Sequence, residues 1–336
     1  MGFKRLDAQD FVVSADAVQS TAWSTDTPTL TTFFTSSVQL AGSSGNYYAS
    51  IYQSDPTVAG STVQFDIAYG NIKGSGSSYL NPAFPQFTPS STIYGQYRTM
   101  ILEDENSTFT FGDGTNLLSP DDFYVLSIDR ARYKESIFPG TFNIKISGSG
   151  GVINLTDNSN DVTLQTFLGS SRVFQIVSGS NGNAISSGGF VDNSGSYGLL
   201  FPELGTIILN PAAINQSISV APTTTANANN SVNYSKVFDA IKKGGAFTVN
   251  SQETITSDYV FCRARNAEFN YSSNPSFISG STGEVVYNQF INNPQVYMTT
   301  VGMYNDANEC VAVAKLSRPL LKDFTKESLI RVKLDF

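Results

Sequence analysis

The most informative absence in this sequence is histidine, because none of its 336 residues is one. Histidine is the commonest general base at neutral pH and a frequent metal ligand. Its absence excludes Ser–His and Cys–His nucleophile pairs and most zinc and transition-metal sites. An enzyme built from this sequence would have to use carboxylates, as glycosidases do.

Charged residues are also scarce, since they make up 14% of the chain, compared with about a quarter in ordinary globular domains. Such a surface is typical of a subunit packed permanently among neighbours. The net charge of −8 argues against nucleic acid as a partner, because phosphate binding needs clustered Lys and Arg. The acidity lies before residue 232, with 9 basic and 18 acidic residues there against 11 and 10 afterwards. Unequal charge along one chain can steer subunits together.

Cysteine is limited to Cys262 and Cys310, and there is no long apolar run. One disulfide is arithmetically possible, but we favour two buried free thiols. The first residues lack the apolar segment of a signal peptide, and no stretch approaches about 20 apolar residues. We therefore expect neither secretion nor membrane insertion.

Short apolar runs separated by Gly, Ser, Asn and Pro clusters fill most of the chain. The turn signals recur about every ten to fifteen residues without helical spacing, and no fixed-period repeat is present. This pattern predicts a mainly β fold with antiparallel β-sandwich or barrel-like domains. The strands predicted in this part are residues 62–69, 94–102, 123–133, 141–147, 151–155, 172–177 and 205–209.

The last hundred residues carry tighter patterns. Residues 233–245 predict one short helix, capped by Asn233 and stopped by Gly244. The final residues place Ile330, Val332, Leu334 and Phe336 on one side, which predicts a half-buried strand. Loss of this strand should therefore unfold the region. Further strands are predicted at residues 259–265, 296–303 and 310–316.

Composition predicts four segments along the chain. Residues 1–30 are expected to form an extended N-terminal arm, and residues 31–214 a β-rich domain that could split into two subdomains. Residues 215–231, rich in Ala, Thr and Asn, are the best linker candidate. Residues 232–336 are expected to form a C-terminal α+β domain.

Carboxylate chemistry has two candidates, the acidic runs 103–105 and Asp121 with Asp122. Both lie in polar, turn-like surroundings where solvated surface charge is the ordinary explanation. Residues 157–161 carry oxygen ligands at alternating positions that could hold Ca²⁺, but the glycine and glutamate of an EF-hand loop are missing. We therefore expect no catalytic residues, no cofactor and no resident metal, and the protein is predicted not to be an enzyme.

Trp23 is the only tryptophan, and it lies in the predicted N-terminal arm. A lone tryptophan in such a segment either fills the core of its own chain or anchors the segment in a neighbouring subunit. We favour the first interpretation and keep Trp23 as a possible interface residue.

Basic residues supply the other possible interface positions. Arg130, Arg132 and Lys134 are spaced two apart on a predicted strand, so they should share one face. This face is either solvated, with local acids as partners, or contacts an acidic patch on another subunit. Arg331 and Lys333 lie on the polar side of the final strand and complete the set.

Several long stretches resemble one known family. In the C-terminal third they are residues 269–277 (FNYSSNPSF), 297–306 (YMTTVGMYND) and 311–336 (VAVAKLSRPLLKDFTKESLIRVKLDF). Residues 29–37, 65–78 and 127–134 carry the resemblance in the N-terminal part. The chain resembles a virion structural protein family of contractile-tailed phages, especially T-even-like myoviruses of cyanobacteria.

This resemblance implies a building block of the virion, most simply a baseplate or tail protein. The expected partners are other virion tail or baseplate proteins and copies of the chain itself. The expected location is the virion, after assembly in the cytoplasm of the bacterial host. The family supplies no catalytic residues to carry over.

Other functions remain open at this point. A neck protein or another virion component would show the same features. A receptor-binding fibre adhesin would stack exposed aromatic rings on sugars, with Tyr47, Tyr48, Tyr79 and Tyr94 as candidates. A polysaccharide depolymerase would need paired carboxylates facing a groove, for which Asp121 and Asp122 are the best candidates.

Overall fold

A computed structural model describes residues 3–35, 48–74, 90–113, 116–185, 188–223, 230–272 and 274–335. The predicted mainly β class with antiparallel sheets is confirmed, and the largest sheet curls into a half-barrel. The predictions for Tyr47, Tyr79, Phe336 and residues 224–229 of the proposed linker lie outside the described residues.

The strands of the described residues are β1 (Phe11–Thr21), β2 (Thr29–Leu30), β3 (Phe34–Thr35), β4 (Tyr48–Tyr52), β5 (Val63–Asn71), β6 (Phe111–Asp113), β7 (Asn116–Leu118), β8 (Asp122–Ile128), β9 (Ser136–Ile137), β10 (Asn143–Gly148), β11 (Gly151–Asp157), β12 (Thr166–Leu168), β13 (Ser171–Ser180), β14 (Asn183–Ala184), β15 (Gly198–Phe201), β16 (Thr206–Leu209), β17 (Ala246–Thr248), β18 (Asn250–Ala264), β19 (Gln295–Tyr304), β20 (Cys310–Asp323) and β21 (Ser328–Asp335). The α-helices are α1 (Ser90–Leu102), α2 (Pro211–Ile218), α3 (Asn230–Gly244) and α4 (Asn288–Asn292).

The chain forms two compact units. The larger unit is Val18–Glu253, and the smaller unit combines Met1–Ala17 with Thr254–Phe336. Strands β1 and β18 each contribute residues to both units. The segment boundaries predicted after residues 30, 214 and 231 all fall inside the larger unit.

The larger unit is built on one long antiparallel sheet. Its strand order is β2-β17-β10-β11-β13-β15-β16-β8-β5-β4-β3, with β12 and β14 paired to β13. The central strand β8 is buried on both faces: Tyr124 and Leu126 enter one core cluster, and Phe123 and Val125 enter a second. A strand with two buried faces needs a nearly continuous apolar sequence, which β8, β15 and β16 have.

Helices cover both faces of this sheet. Helices α2 and α3 contribute to the first cluster, and α1 contributes to the second. The predicted helix at residues 233–245 is confirmed as α3. The predicted cap is wrong, because α3 begins at Asn230. The side-chain amide of Asn233 instead accepts a hydrogen bond from the Thr223 N–H and donates one to the Thr223 carbonyl. A Cβ on Gly244 would lie 1.8 Å from the Lys145 carbonyl oxygen, so glycine permits the close approach of α3 to β10.

Helix α1 corrects a prediction, since residues 94–102 were expected to form a strand. Their aromatic and β-branched content favours strands. Ile93, Tyr97 and Ile101 nevertheless recur every four residues, and all three pack in the second core cluster together with Tyr94. One helical face is therefore apolar, and tertiary packing overrides the local preference.

The smaller unit contains two antiparallel sheets. One has the order β1-β18-β21, and the other is the β19–β20 hairpin. The predicted final strand is confirmed as β21, which pairs with β18 so that Val332 lies opposite Val260. A small core cluster contains both valines together with Met303 and Ile330.

Candidate interaction surface

Exposed apolar side chains are concentrated in the smaller unit. Twenty-seven large apolar side chains are exposed among the described residues, and sixteen of them belong to this unit of 100 residues. Single exposed apolar side chains are ordinary on a protein surface, whereas dense groups of them mark interaction sites. The sixteen are Phe3, Phe11, Val12, Val13, Tyr271, Val285, Val286, Tyr287, Ile291, Tyr297, Tyr304, Val311, Val313, Leu320, Phe324 and Leu329.

The β19–β20 hairpin shows how this exposure arises. Its inner face packs Val301 and Met303 into the small core cluster. On the opposite face Val311 and Val313 are 64% and 65% exposed. Among the described strands β19 and β20 pair only with each other, so the hairpin has one covered face and one apolar face in solvent. In sequence the run Val311-Ala-Val-Ala is apolar on both faces, a pattern typical of a buried strand, so sequence reasoning missed its exposure.

The predicted interface residues Arg331 and Lys333 meet around one aromatic ring. Arg331 Cζ lies 5.4 Å and Lys333 Nζ 6.0 Å from the centre of the Tyr259 ring, within cation–π range. The Asp335 carboxylate lies 2.9 Å from Lys333 Nζ and accepts a 2.6 Å hydrogen bond from Ser257 Oγ. These contacts lower the pKa of Asp335, the Ser257 bond most, and the Asp335 bond raises the pKa of Lys333. The arrangement presents an exposed cation–aromatic cluster.

The predicted basic stripe at residues 130–134 is wrong in its geometry. Strand β8 ends at Ile128, and a 3₁₀ helix follows over Arg130–Arg132. The turn forms because the Asp129 side chain accepts a 2.8 Å hydrogen bond from the Ala131 amide, which is the helix-capping role that aspartate favours. Arg130 and Arg132 therefore do not share the face of a strand.

The three basic side chains also have separate surroundings. Arg130 stacks on the Tyr133 ring at 4.6 Å and donates a 2.6 Å hydrogen bond to the Tyr133 carbonyl. Lys134 pairs with Glu253. Arg132 is half-buried. Only the first and last are exposed, and both have partners within the larger unit, so this region offers no single basic stripe.

Trp23 lies in the core of its own chain, as favoured from the sequence. It is 1% exposed, and its Nε1 donates a 2.9 Å hydrogen bond to the Phe247 carbonyl. Its ring packs edge-on against Phe247 at 5.0 Å and contacts Phe65 at 6.3 Å between centroids. A buried side chain of this kind is not available to a neighbouring subunit.

Two of the four tyrosines proposed for sugar stacking lie among the described residues. Tyr94 is 1% exposed in the second core cluster, so its ring is not available to a ligand. Tyr48 is 49% exposed at the start of β4. The described residues therefore bring together no pair of the proposed rings on the surface.

The carboxylates Asp121 and Asp122 have different surroundings. Asp122 is buried and accepts a 2.8 Å hydrogen bond from the Tyr69 hydroxyl, which itself accepts a 3.0 Å bond from the Asn71 amide. Burial raises the pKa of Asp122 and that of Tyr69 above their ordinary values. Asp121 is exposed and pairs with Lys73. The two carboxylates therefore do not form an exposed pair, and the buried network holds β5 to β8.

The acidic run Glu103–Glu105 is exposed and forms a local turn. Asp104 accepts hydrogen bonds from the Asn106 amide and the Ser107 hydroxyl, and the Ser107 bond is the main cause of its lowered pKa. Glu103 accepts a bond from the Ser170 amide at 3.2 Å. These are structural contacts of surface carboxylates.

The proposed calcium segment 157–161 is also a structural turn. Both carboxylate oxygens of Asp157 accept 2.9 Å bonds from the Gly140 amide, which fixes a type II turn in which Gly140 has φ +86°. Burial raises the pKa of Asp157. Asp161 accepts a bond from the Ala184 amide. Within the described ranges no group of three His, Cys, Asp or Glu side chains is placed to hold a metal ion.

The two cysteines are free thiols. Cys262 is half-buried, and burial raises its pKa. Cys310 is exposed, which corrects the expectation that both thiols are buried. It is the first residue of β20, directly after the turn of the β19–β20 hairpin.

A shallow groove of about 560 Å³ lies beside β11, β13 and β14 in the larger unit. Asn154, Ser178 and Asn183 line it together with apolar groups such as Ile185, and its lining includes no charged side chain. It offers hydrogen bonds but no acid or base.

Comparison of the chain with protein-family models, with curated proteins and with solved structures found no match. Among the described helices, none is both long enough and apolar enough to span a membrane.

Proposed function

We propose that this protein is a non-enzymatic structural subunit of a larger assembly. The observation that carries the proposal is the smaller unit, where sixteen large apolar side chains are exposed around a core cluster of four buried ones. Covering each such side chain would contribute roughly 1.5–3 kcal/mol before the costs of association. A surface of this composition favours permanent neighbours, in keeping with the low content of charged residues.

We further propose that the assembly is the tail of a contractile phage, with the baseplate as the place of this subunit. The resemblance of residues 269–277, 297–306 and 311–336 to virion structural proteins supports this finer proposal. Its neighbours would be other tail or baseplate proteins and further copies of the chain. The mechanism is geometric, because multivalent contacts hold the tail before contraction and transmit receptor engagement.

Labelling of particles tests this proposal. Antibodies raised against the recombinant chain should decorate contractile tails of the phage whose genome encodes it, and decoration should persist after the fibres are stripped. Cryo-EM of the same particles should place the chain in contact with other subunits. Particles that lack the chain, or decoration lost together with the fibres, would contradict a tail or baseplate role.

The alternative functions predict different outcomes. An adhesin would bind host cells as a purified protein at micromolar concentration. A depolymerase would release soluble sugar from host polysaccharide, and the Asp121→Asn and Asp122→Asn variants would lose that activity. A neck protein would label the head–tail junction instead of the baseplate.

A further inference from the structure

The tip of the β19–β20 hairpin carries a compact apolar patch. It consists of Phe3, Tyr304, Val311 and Val313, which are 69%, 47%, 64% and 65% exposed. We refer to these four residues as the tip patch. They combine two aromatic rings, a residue type that is enriched in the buried core of interfaces, with two apolar β-branched side chains.

The tip patch is held in place before any partner binds. The Tyr304 ring covers Gly302, whose Cβ, if present, would lie 3.0 Å from the ring, and Gly302 pairs with Val313 across the strands. The Phe3 ring meets the Tyr304 ring edge-on with 5.1 Å between centroids. Aromatic pairs of this geometry are favourable, and an ordered patch loses little side-chain entropy on binding.

The hairpin turn is fixed as well. The Asn305 side-chain oxygen accepts hydrogen bonds from the amides of Ala307 and Glu309, and the Asn305 amide nitrogen bonds the Glu309 carbonyl at 3.0 Å. Asn308 takes the left-handed conformation at φ +61°, which asparagine tolerates. The turn therefore presents Asp306 beside the tip patch in a defined position.

The rim of the tip patch carries opposite charges. Arg5 Nη2 and an Asp306 carboxylate oxygen lie 3.9 Å apart, and their side chains are 89% and 99% exposed. A pair so long and so exposed contributes little to folding. Both charges are therefore free to exchange partners with a complementary surface that presents one acid and one base at the same spacing.

We propose that the tip patch binds the same patch on a second copy of this chain about a twofold axis. In a twofold interface each surface meets itself, so Arg5 pairs with the partner subunit's Asp306 and Asp306 pairs with the partner's Arg5. The charge complementarity of the rim is the observation that selects a second copy over another protein. The inference deepens the proposed assembly function by naming one partner and one face, and it rests on that function.

Charge reversal tests the twofold pairing with the full-length chain. Sedimentation velocity over roughly 1–200 µM should show reversible dimers of the wild type, the affinity range of a small interface. Arg5→Asp and Asp306→Arg should each weaken dimerisation about tenfold or more, because each places like charges opposite each other twice. The double variant should recover the wild-type affinity. An equimolar mixture of the two single variants should form heterodimers, because both of its pairs are attractive.

Control variants separate the tip patch from general effects. Val313→Lys should abolish the dimer by placing a charge within the apolar tip patch. Arg318→Asp, the same charge change as Arg5→Asp at an exposed position on β20, should leave the dimer unchanged. Protection of the smaller unit in limited proteolysis confirms that this unit remains folded in the variants, and Trp23 fluorescence reports only on the larger unit. A wild type that stays monomeric at 200 µM overturns the proposal. A dimer that survives Val313→Lys overturns it as well, and so does a double charge-reversal variant that does not recover the wild-type affinity.

Failure of this experiment is distinguishable from failure of the proposed function. The dimer is measured on the purified chain, whereas the tail role is measured by labelling of particles. A chain that decorates tails but stays monomeric would keep its assembly role and assign the tip patch to a different protein. A dimeric chain that is missing from particles would keep the twofold contact and lose the phage assignment.

Discussion

Strand β8 of the larger unit and strand β20 of the smaller unit are both rich in apolar residues, but their surroundings differ. Strand β8 has hydrogen-bonded neighbours on both sides, β5 and β16, and its side chains enter a core cluster on each face. Strand β20 has β19 as its neighbour among the described strands and has a core on one face. The number of covering layers, and not local strand preference, decides whether a valine is buried.

The difference extends to charge. The larger unit contains 10 of the 20 basic residues and 17 of the 28 acidic ones, whereas the smaller unit contains 10 and 11. The larger unit combines a complete core with an acidic exterior, and the smaller unit combines a thin core with a nearly neutral, apolar exterior. Stability should therefore come mainly from the larger unit, and we expect association to depend on the smaller one.

Removal of residues 331–336 should have the largest effect on folding and should show that the two units differ in stability. The deletion takes away the buried Val332 and most of the pairing between β21 and β18, so the small core loses one wall. We expect the smaller unit to unfold while the larger unit stays intact. Limited proteolysis should digest residues 254–330, and Trp23 fluorescence should keep its folded-state emission.

A point variant on the same strand controls for nonspecific damage. Leu329 is 60% exposed, so Leu329→Ala should leave the protease resistance unchanged. Full protection of the truncated chain would show that β21 is dispensable and that the smaller unit has a stronger core than its four buried side chains indicate.

Trp23→Ala should give the largest effect of a single substitution. It empties a site at the centre of the Phe65 and Phe247 cluster and leaves the Phe247 carbonyl without its donor. The expected loss is about 3–5 kcal/mol of unfolding free energy, measured by urea denaturation followed by circular dichroism. Tyr304→Ala in the smaller unit removes a similarly large ring and should cost less than about 1 kcal/mol. Equal losses of unfolding free energy in the two variants would contradict the inference that stability comes mainly from the larger unit.

The sequence predicted those parts of the fold that depend on local pattern. The alternation of Ile330, Val332 and Leu334 identified β21, and the spacing of Tyr234, Val237, Phe238 and Ile241 identified α3. The mainly β class followed from the spacing of turn signals. Each of these depends on residues close together in the chain, so a single sequence is sufficient.

The missed features depend on contacts between distant residues. Helix α1 is a helix because the second core cluster accepts its apolar face. The tip patch was missed because local sequence does not show which strand faces are covered. Among the described strands, none packs beside the β19–β20 hairpin to extend its sheet, and Val311 and Val313 are exposed. The rim of the tip patch pairs Arg5 with Asp306, about 300 residues apart in the chain, and no local pattern predicts such a pair.

Asp122→Asn should have a smaller effect that depends on pH. Burial raises the folded-state pKa of Asp122 above its ordinary value of 3.8. The folded state therefore binds the proton more tightly, so the stability linked to this group is present at low pH and is lost as pH rises through the folded-state pKa. Asparagine can still accept the Tyr69 hydrogen bond but carries no charge. The variant should gain stability relative to the wild type as pH rises from about 4 to 7.

Urea denaturation of both proteins across this pH range measures the effect, and Asp121→Asn is the matched control at the exposed neighbouring carboxylate. The control removes one carboxylate charge at an exposed position, outside the buried network of Tyr69 and Asp122. A pH-independent difference for Asp122→Asn would contradict the raised pKa and would mean that the buried carboxylate is compensated by its hydrogen bonds.

Arg331→Ala should have the smallest effect on folding and is therefore the most specific test of the exposed surface. Arg331 lies over the Tyr259 ring at 5.4 Å on the solvent side of β21, so its removal should change the unfolding free energy by about 0.5 kcal/mol or less. Arg130→Ala in the larger unit also removes a stacked arginine, but it breaks a 2.6 Å hydrogen bond to the Tyr133 carbonyl and should cost about 1 kcal/mol. If the smaller unit is the assembly surface, Arg331→Ala should reduce incorporation into particles more than Arg130→Ala, the reverse of their order in stability. The same order in both measurements would leave the cation–aromatic cluster around Tyr259 with no role in assembly.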